Sequence, residues 1–218
     1  MKFKMAVDQH STQLLKISFI YVQDLQLAQQ IVHEAYRQLS AKGKEDLPFN
    51  QMRPRLIKHV VEGCHSHFKS WSHRIAKGTK SKEYILPQEV EQPEYFSKLL
   101  NLPLKEREII NLHYVAQQST AEIAELLHIP IASVRTRLHK AKQSLQSVFD
   151  GEDLTKPIQT ALGDWSEISN ALKEMLLGEM LNATSKQKRR YIKPLITLGA
   201  LAVAIGLGAW AFSSQRQA

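Results

Sequence analysis

The sequence has a single cysteine, Cys64, among 218 residues. No intramolecular disulfide can form, which suits a reducing compartment. Glycine is sparse, with nine residues, and no G-x-G-x-x-G or phosphate-loop pattern occurs. The first residues, MKFKMAVDQHSTQLL, hold no uninterrupted apolar core of signal-peptide length. No nucleophile–base pair or carboxylate dyad stands at useful spacing, so no catalytic residue is expected. Acidic residues are also few: 21 against 29 Lys and Arg, a formal charge of +8. That balance suits an anionic partner, either nucleic acid or a membrane surface. Long apolar runs are missing until the far end of the chain.

What is present is helical patterning. From about Val7 to Val22, Leu14, Ile17 and Tyr21 form one stripe and Leu15, Phe19 and Val22 another, so a helix with a broad buried face is expected. Asp24 offers an N-cap to a second helix, with Ala28, Val32, Ala35 and Leu39 inward. It fades in Ser40–Pro48, where Gly43 and Pro48 signal a loop. A third helix is expected from near Pro54, with Ile57, Val61, Cys64, Phe68, Trp71 and Ile75 as its seam. Its other face carries Lys58, His59, His65, Lys69, His73, Arg74 and Lys77. A solvated face and a DNA-facing one both fit. His59, His65, His67 and His73 share no helical face and have no second cysteine, so no metal site is expected. Cys64 lies on the seam as a small core residue.

The most informative stretch is Ser119–Leu145, STAEIAELLHIPIASVRTRLHKAKQSL. Ser119 and Glu122 make an S-x-x-E capping box. Ile123, Ala124 and Leu127 face inward, His128-Ile129-Pro130 turns the chain, and Pro130 suits the start of a new helix. In that helix Ile131, Val134, Leu138, Ala141, Leu145 and Val148 form the inner seam, and Arg135, Thr136, Arg137, His139, Lys140 and Lys142 the rest. Two short helices, a tight turn and a basic outer face are the form of a helix-turn-helix. Arg and Lys can pair with guanine edges or phosphates; Ser133 and Thr136 do either more weakly.

The segment from Leu102 to Leu145 resembles the promoter-binding domain of bacterial extracytoplasmic-function (ECF) sigma factors. The resemblance rests on Leu102-Pro103, Glu106-Arg107, Tyr114, Ser119–Leu126 and Ile129–Ala141, about a fifth of the chain. Asp24, Ala28, Ile31, Val32, Glu34 and Ala35 resemble that family's first domain more weakly. The resemblance implies an all-α fold with two helical domains, a three-helix region 2-like unit and a region 4-like helix-turn-helix. It implies core RNA polymerase and promoter DNA as partners and no enzyme activity or cofactor; the C-terminal segment would either hold these domains inactive or dock them to a membrane partner such as an anti-sigma factor. Ser119, Thr120, Ser133, Arg135, Thr136, Arg137, His139 and Lys140 would bind DNA at the −35 element. Lys58, His65, Lys69 and Arg74 would meet the −10 element, and Asp24, Gln30 and Glu34 the polymerase. Gln29 and Gln30 stand where the family has acids, His67 where it has Asp, and His128 where it has Gly.

The expected organisation is a first domain over 1–77, a linker over 78–93, the helix-turn-helix domain over 94–149 and a spacer over 150–185. Within the spacer, Asp150 to Asp164 is polar, and Trp165, Ile168, Leu172, Met175 and Leu176 form an amphipathic stripe. A basic collar over 186–193, KQKRRYIK, follows. Leu195 to Phe212 carries no charge, and with its flanks (194–212) it reaches the ~17–25 residues of a membrane span. A tail over 213–218 ends the chain. The collar would keep the N-terminal domains cytoplasmic and meet anionic lipid. Three functions remain open: a membrane-tethered initiation factor, a membrane-anchored interaction protein with degenerate polymerase binding, and a DNA-binding repressor.

Overall fold

The computed structural model describes residues 2–40, 47–75, 90, 93–146 and 153–179, the side chains of 69–75 and 93 excepted. Every element within them is helical. In order they are α1 (Lys2–Val22), α2 (Leu25–Ser40), α3 (Phe49–Ile75), α4 (Pro93–Leu100), α5 (Leu104–Ile110), a π-helical turn (Asn111–Val115), α6 (Thr120–Leu127), α7 (Ile131–Gln146) and α8 (Thr155–Leu162). A last helix, α9, covers 166–179. The expected anchor at 194–212, the collar and the tail lie outside the described residues, as does most of the linker. Among the described residues no helix is long and apolar enough to cross a membrane.

The helices α1, α2 and α3 pack pairwise as a three-helix bundle. Asp24 caps α2, accepting from the Leu27 amide at 3.0 Å. The expected inner residues Ala28, Val32, Ala35 and Leu39 are all buried. Gly63 lets α3 approach α2 closely: a Cβ there would sit 3.0 Å from Ile31 Cγ2. The helix α3 starts at Phe49, five residues before the expected Pro54. Leu47 and Met52 are buried, and their burial holds an extra turn against the bundle. Pro54 then lies inside the helix, where it lacks the amide that would bond to Asn50. Leu56 and Val60 are buried beside the expected Ile57, Val61 and Cys64, so the seam is wider than a single stripe.

The helix α1 is the hub. From Leu14 to Tyr21 it is buried nearly all round, Lys16 excepted. A helix apolar on every side needs neighbours on every side. One side meets α2 and α3; the other meets α5, the π turn and the C-terminal segment. Across that second side, Gln13 Nε2 donates to the Val115 carbonyl at 2.7 Å, and Asn111 Nδ2 donates to the Ile17 carbonyl at 2.9 Å. Arg53 of α3 donates to Gln13 Oε1 and to the Ala116 carbonyl. At the centre Glu108, buried on α5, accepts from the Tyr21 hydroxyl at 3.0 Å and lies 2.5 Å from His65 Nε2. The bundle and the helix-turn-helix thus belong to one compact unit that reaches Glu174.

The stretch expected as polar spacer contains α8, with Leu154, Ile158, Ala161 and Leu162 buried. Their three- and four-residue spacing is helical, interleaved with Thr, Lys and Gln that mask it. Pro157 falls in the first turn, where no helical hydrogen bond is lost. Trp165 and Leu172 of the expected stripe are buried, while Met175 is exposed.

Candidate nucleic-acid interface

The capping box is formed. Glu122 N donates to Ser119 Oγ at 3.2 Å, and Ser119 N donates to Glu122 Oε2 at 2.7 Å. Hydrogen bonding from Ser119, its backbone amide first and its side chain second, holds the Glu122 carboxyl below its ordinary range. The helix α6 ends at His128, whose φ of 53° and ψ of 45° are left-handed. Its neighbour Ile129 donates back to the Ala124 carbonyl at 3.1 Å. This closes the helix with the geometry that usually calls on glycine. Ser133 N and Val134 N then donate to the Pro130 carbonyl, starting α7.

The helix α7 buries Val134, Ala141 and Leu145. Ile131, expected on that seam, is 38% exposed because it stands in the first turn, beyond the reach of the inner helices. With 16 residues, α7 is ~24 Å long, enough to cross a major groove ~12 Å wide. At 3.6 residues per turn its polar residues form two flanks. Ser133, Arg137 and Lys140 make one, Arg135 and His139 the other, with Thr136 between them.

The first flank opens on a cleft of about 510 Å³ shared with the start of α5. Lys105, Glu106, Ala132, Ser133, Thr136, Arg137 and Lys140 line it. Three of these are cationic and one anionic, so the cleft suits an anion such as a backbone phosphate. The Thr136 hydroxyl donates to the Ala132 carbonyl at 2.9 Å, a local bond that a DNA contact would have to share or displace. Arg135 and His139 are exposed, as base-reading side chains must be. Ser119 is occupied in the capping box, and Thr120 is the partly exposed first residue of α6. Lys105, not among the expected residues, lines the cleft from α5. Its place on a different helix from Ser133, Arg137 and Lys140 hides it from any local pattern.

The residues expected at the −10 element are not gathered in the same way. Lys58 is exposed beside Glu62. His65 faces Glu108 across the seam. The side chains of Lys69 and Arg74 lie outside the described residues. On α2, Gln30 is exposed and Glu34 is clasped by Arg37 through both oxygens, at 2.6 and 2.9 Å. Hydrogen bonds from Arg37 and then Gln38 bring the Glu34 carboxyl to about 2. Among the described residues no three His, Cys, Asp or Glu side chains gather where they could hold a metal ion.

Residues 96–145 match the family model described as sigma-70, region 4. The chain is 33% identical over 76 residues to the ECF RNA polymerase sigma factor SigW of Bacillus subtilis (strain 168). That alignment covers 35% of this chain and 40% of SigW, so the chain spans about two fifths of the curated relative it matches. Among solved structures, it is similar to the sigma factor RpoE in complex with the anti-sigma factor NepR from Bartonella quintana. The TM-score is 0.57 at 16% identity, over 66% of this chain and 94% of that one. At that identity the likeness is one of fold. The chain therefore has the all-helical fold of a sigma factor, with its sequence likeness to sigma-70 region 4 centred on the helix-turn-helix.

Proposed function

We propose that this chain is a sigma-like factor that directs RNA polymerase to specific promoters and starts transcription there. The observation that carries the reading is the exposed basic face of α7 on a capped helix-turn-helix that matches sigma-70 region 4. Arg135 and His139 would read bases, and Lys105, Arg137 and Lys140 would hold the backbone. The polymerase would meet α2 around Asp24, Gln30 and Glu34, and the −10 element would meet α3 around Lys58, His65, Lys69 and Arg74. An anti-sigma factor is a further partner in this reading.

The apolar run 194–212 behind the basic collar supports a membrane tether, with the helical domains on the cytoplasmic side. A charge at its centre would oppose insertion. Ala204→Asp should release the chain from membranes, and unchanged carbonate-resistant association would exclude a span at this position.

Gln30, exposed on α2 where the resemblance leads one to expect an acid, favours a second reading. In it the chain keeps the sigma fold as a membrane-anchored interaction protein. Run-off transcription with core polymerase separates the two. A promoter-specific transcript is expected; failure to bind core together with no transcript would support the second reading. Mobility shift of promoter duplex without polymerase would instead indicate a DNA-binding repressor.

A further inference from the structure

The segment from Leu154 to Leu172 lies outside the bundle and outside α6 and α7, yet it touches α1 of the bundle and also α4 and the π turn, which precede the helix-turn-helix. Trp165 is fully buried. Its ring lies 5.3 Å from Phe19 of α1 and 6.5 Å from Phe96 of α4, both in edge-to-face geometry. Phe19 and Phe96 stack on each other at 6.0 Å. Three rings from three distant parts of the chain thus close one cluster, with Trp165 as its lid. The indole is satisfied within its own segment, because Nε1 donates to the Leu162 carbonyl at 2.7 Å.

Polar contacts fix the segment on either side of the Trp. Lys16 Nζ of α1 donates to the Gly163 carbonyl at 2.6 Å. The Thr12 and Ser169 hydroxyls share a hydrogen bond at 2.7 Å. Gln159 Nε2 donates to the Tyr114 carbonyl in the π turn at 3.0 Å. Gly163 joins α8 to Trp165 with φ 66° and ψ −168°, a conformation open in practice to glycine alone. The segment is therefore shaped to span the seam rather than laid loosely over it.

We propose that 154–172 is an internal clamp that holds the bundle closed against α4 and the π turn, the elements that carry the helix-turn-helix, and that the clamp must lift for promoter binding. The second half rests on the sigma reading above. In the closed state His65, a residue of the face that would meet the −10 element, is turned to Glu108. Lys16 and Arg53, two cations of the bundle, donate to carbonyls of the opposing segments.

Two experiments on the full chain in detergent test this. First, Trp165→Ala should speed amide hydrogen exchange at least tenfold in α4 and in Leu14–Tyr21, while α7 stays unchanged. Unchanged exchange in both segments would overturn the clamp. Should the variant unfold throughout, a cross-link takes over as the test. Thr12→Cys with Ser169→Cys replaces hydroxyls already 2.7 Å apart by thiols that can form a disulfide, and Cys64 is too buried to interfere. The oxidised form should bind core polymerase and promoter at least tenfold more weakly than the same protein reduced. Equal binding in the two forms would overturn the need for opening. Binding in neither form would reject the sigma reading, and exchange in the cross-linked protein would then decide the clamp: α4 and Leu14–Tyr21 should exchange more slowly oxidised than reduced, and equal exchange would overturn it.

Discussion

The Tyr21 hydroxyl of α1 donates to Glu108 Oε1 of α5 across 87 positions of sequence, at 3.0 Å and between two buried residues. A buried carboxylate depends on its donors, and Tyr21 and His65 face the same oxygen. Tyr21→Phe removes one donor and leaves the other. It should cost about 1.5–3 kcal/mol, the range for a hydrogen bond to a charged group. A Tyr21→Phe, Glu108→Gln double-mutant cycle read by urea unfolding checks this. A coupling near zero would mean that the two side chains merely lie side by side.

The same burial predicts alkaline sensitivity. Burial first, and then the Glu108 charge, pushes the Tyr21 phenol well above its ordinary range of 10.0. Burial does the same to Tyr36, and raises the Cys64 thiol from 9.0 to about 12. For a group whose pKa is raised on folding, the stabilisation is complete below the unfolded value and is lost as pH climbs toward the folded one. Stability should therefore fall from about pH 9 upward, as Cys64 and then the tyrosines begin to favour the unfolded, ionised chain. Melting temperatures across that range should drop less steeply in Cys64→Ala than in the parent. Parallel curves would show that the thiol does not contribute.

His128 provides a prediction of opposite sign. A left-handed residue other than glycine carries strain of about 1 kcal/mol. His128→Gly should relieve part of it and stabilise the protein by up to about 1 kcal/mol, offset in part by the looser unfolded chain. His128→Val should destabilise by more than that, since β-branching clashes hardest there. Thermal unfolding of the two variants decides it; a stabilising Val would contradict the strain.

The helix-turn-helix was legible because its signals are local. Ser119 and Glu122 lie three apart, and the Ile123, Val134 and Ala141 faces repeat at helical spacing. The bundle was legible for the same reason, apart from the extra turn before Pro54. The seam was not. The two apolar stripes from Leu14 to Val22 pointed to a broad buried face on α1. Nothing nearby in sequence said what would cover it. Tyr21 with Glu108, Arg53 with Ala116 and Phe19 with Trp165 are each separated by tens of residues, and a single sequence carries no mark of such pairs. The helix α8 was hidden because its four buried residues are diluted by polar neighbours and a proline.

Close approach at Gly63 can be tested by filling it. A methyl group there would meet Ile31 Cγ2 at 3.0 Å, so the Ile31 side chain must give way by a few tenths of an ångström. Gly63→Ala should cost about 1–3 kcal/mol by overpacking, less whatever the better helix propensity of Ala returns. Ile31→Val trims the same side chain and should recover part of the loss in the double variant. Additive effects of the two changes would show that the crossing has room to adjust.

The two flanks of α7 make different predictions for promoter binding. Arg135 is exposed beside His139, away from the cleft, and Arg135→Ala should cost about 1–3 kcal/mol on the preferred sequence with little effect on others. Lys140 lines the cleft with Lys105 and Arg137, and Lys140→Ala should weaken binding to all sequences about equally. Its loss should also lower the slope of log affinity against log salt by about one. Titrations of matched and scrambled promoter duplexes with the polymerase complex, at several salt concentrations, separate the two roles. A uniform loss for Arg135→Ala would move it from base reading to backbone contact. A sequence-dependent loss for Lys140→Ala would place base reading in the cleft, and the recognition face would then centre on Ser133, Arg137 and Lys140.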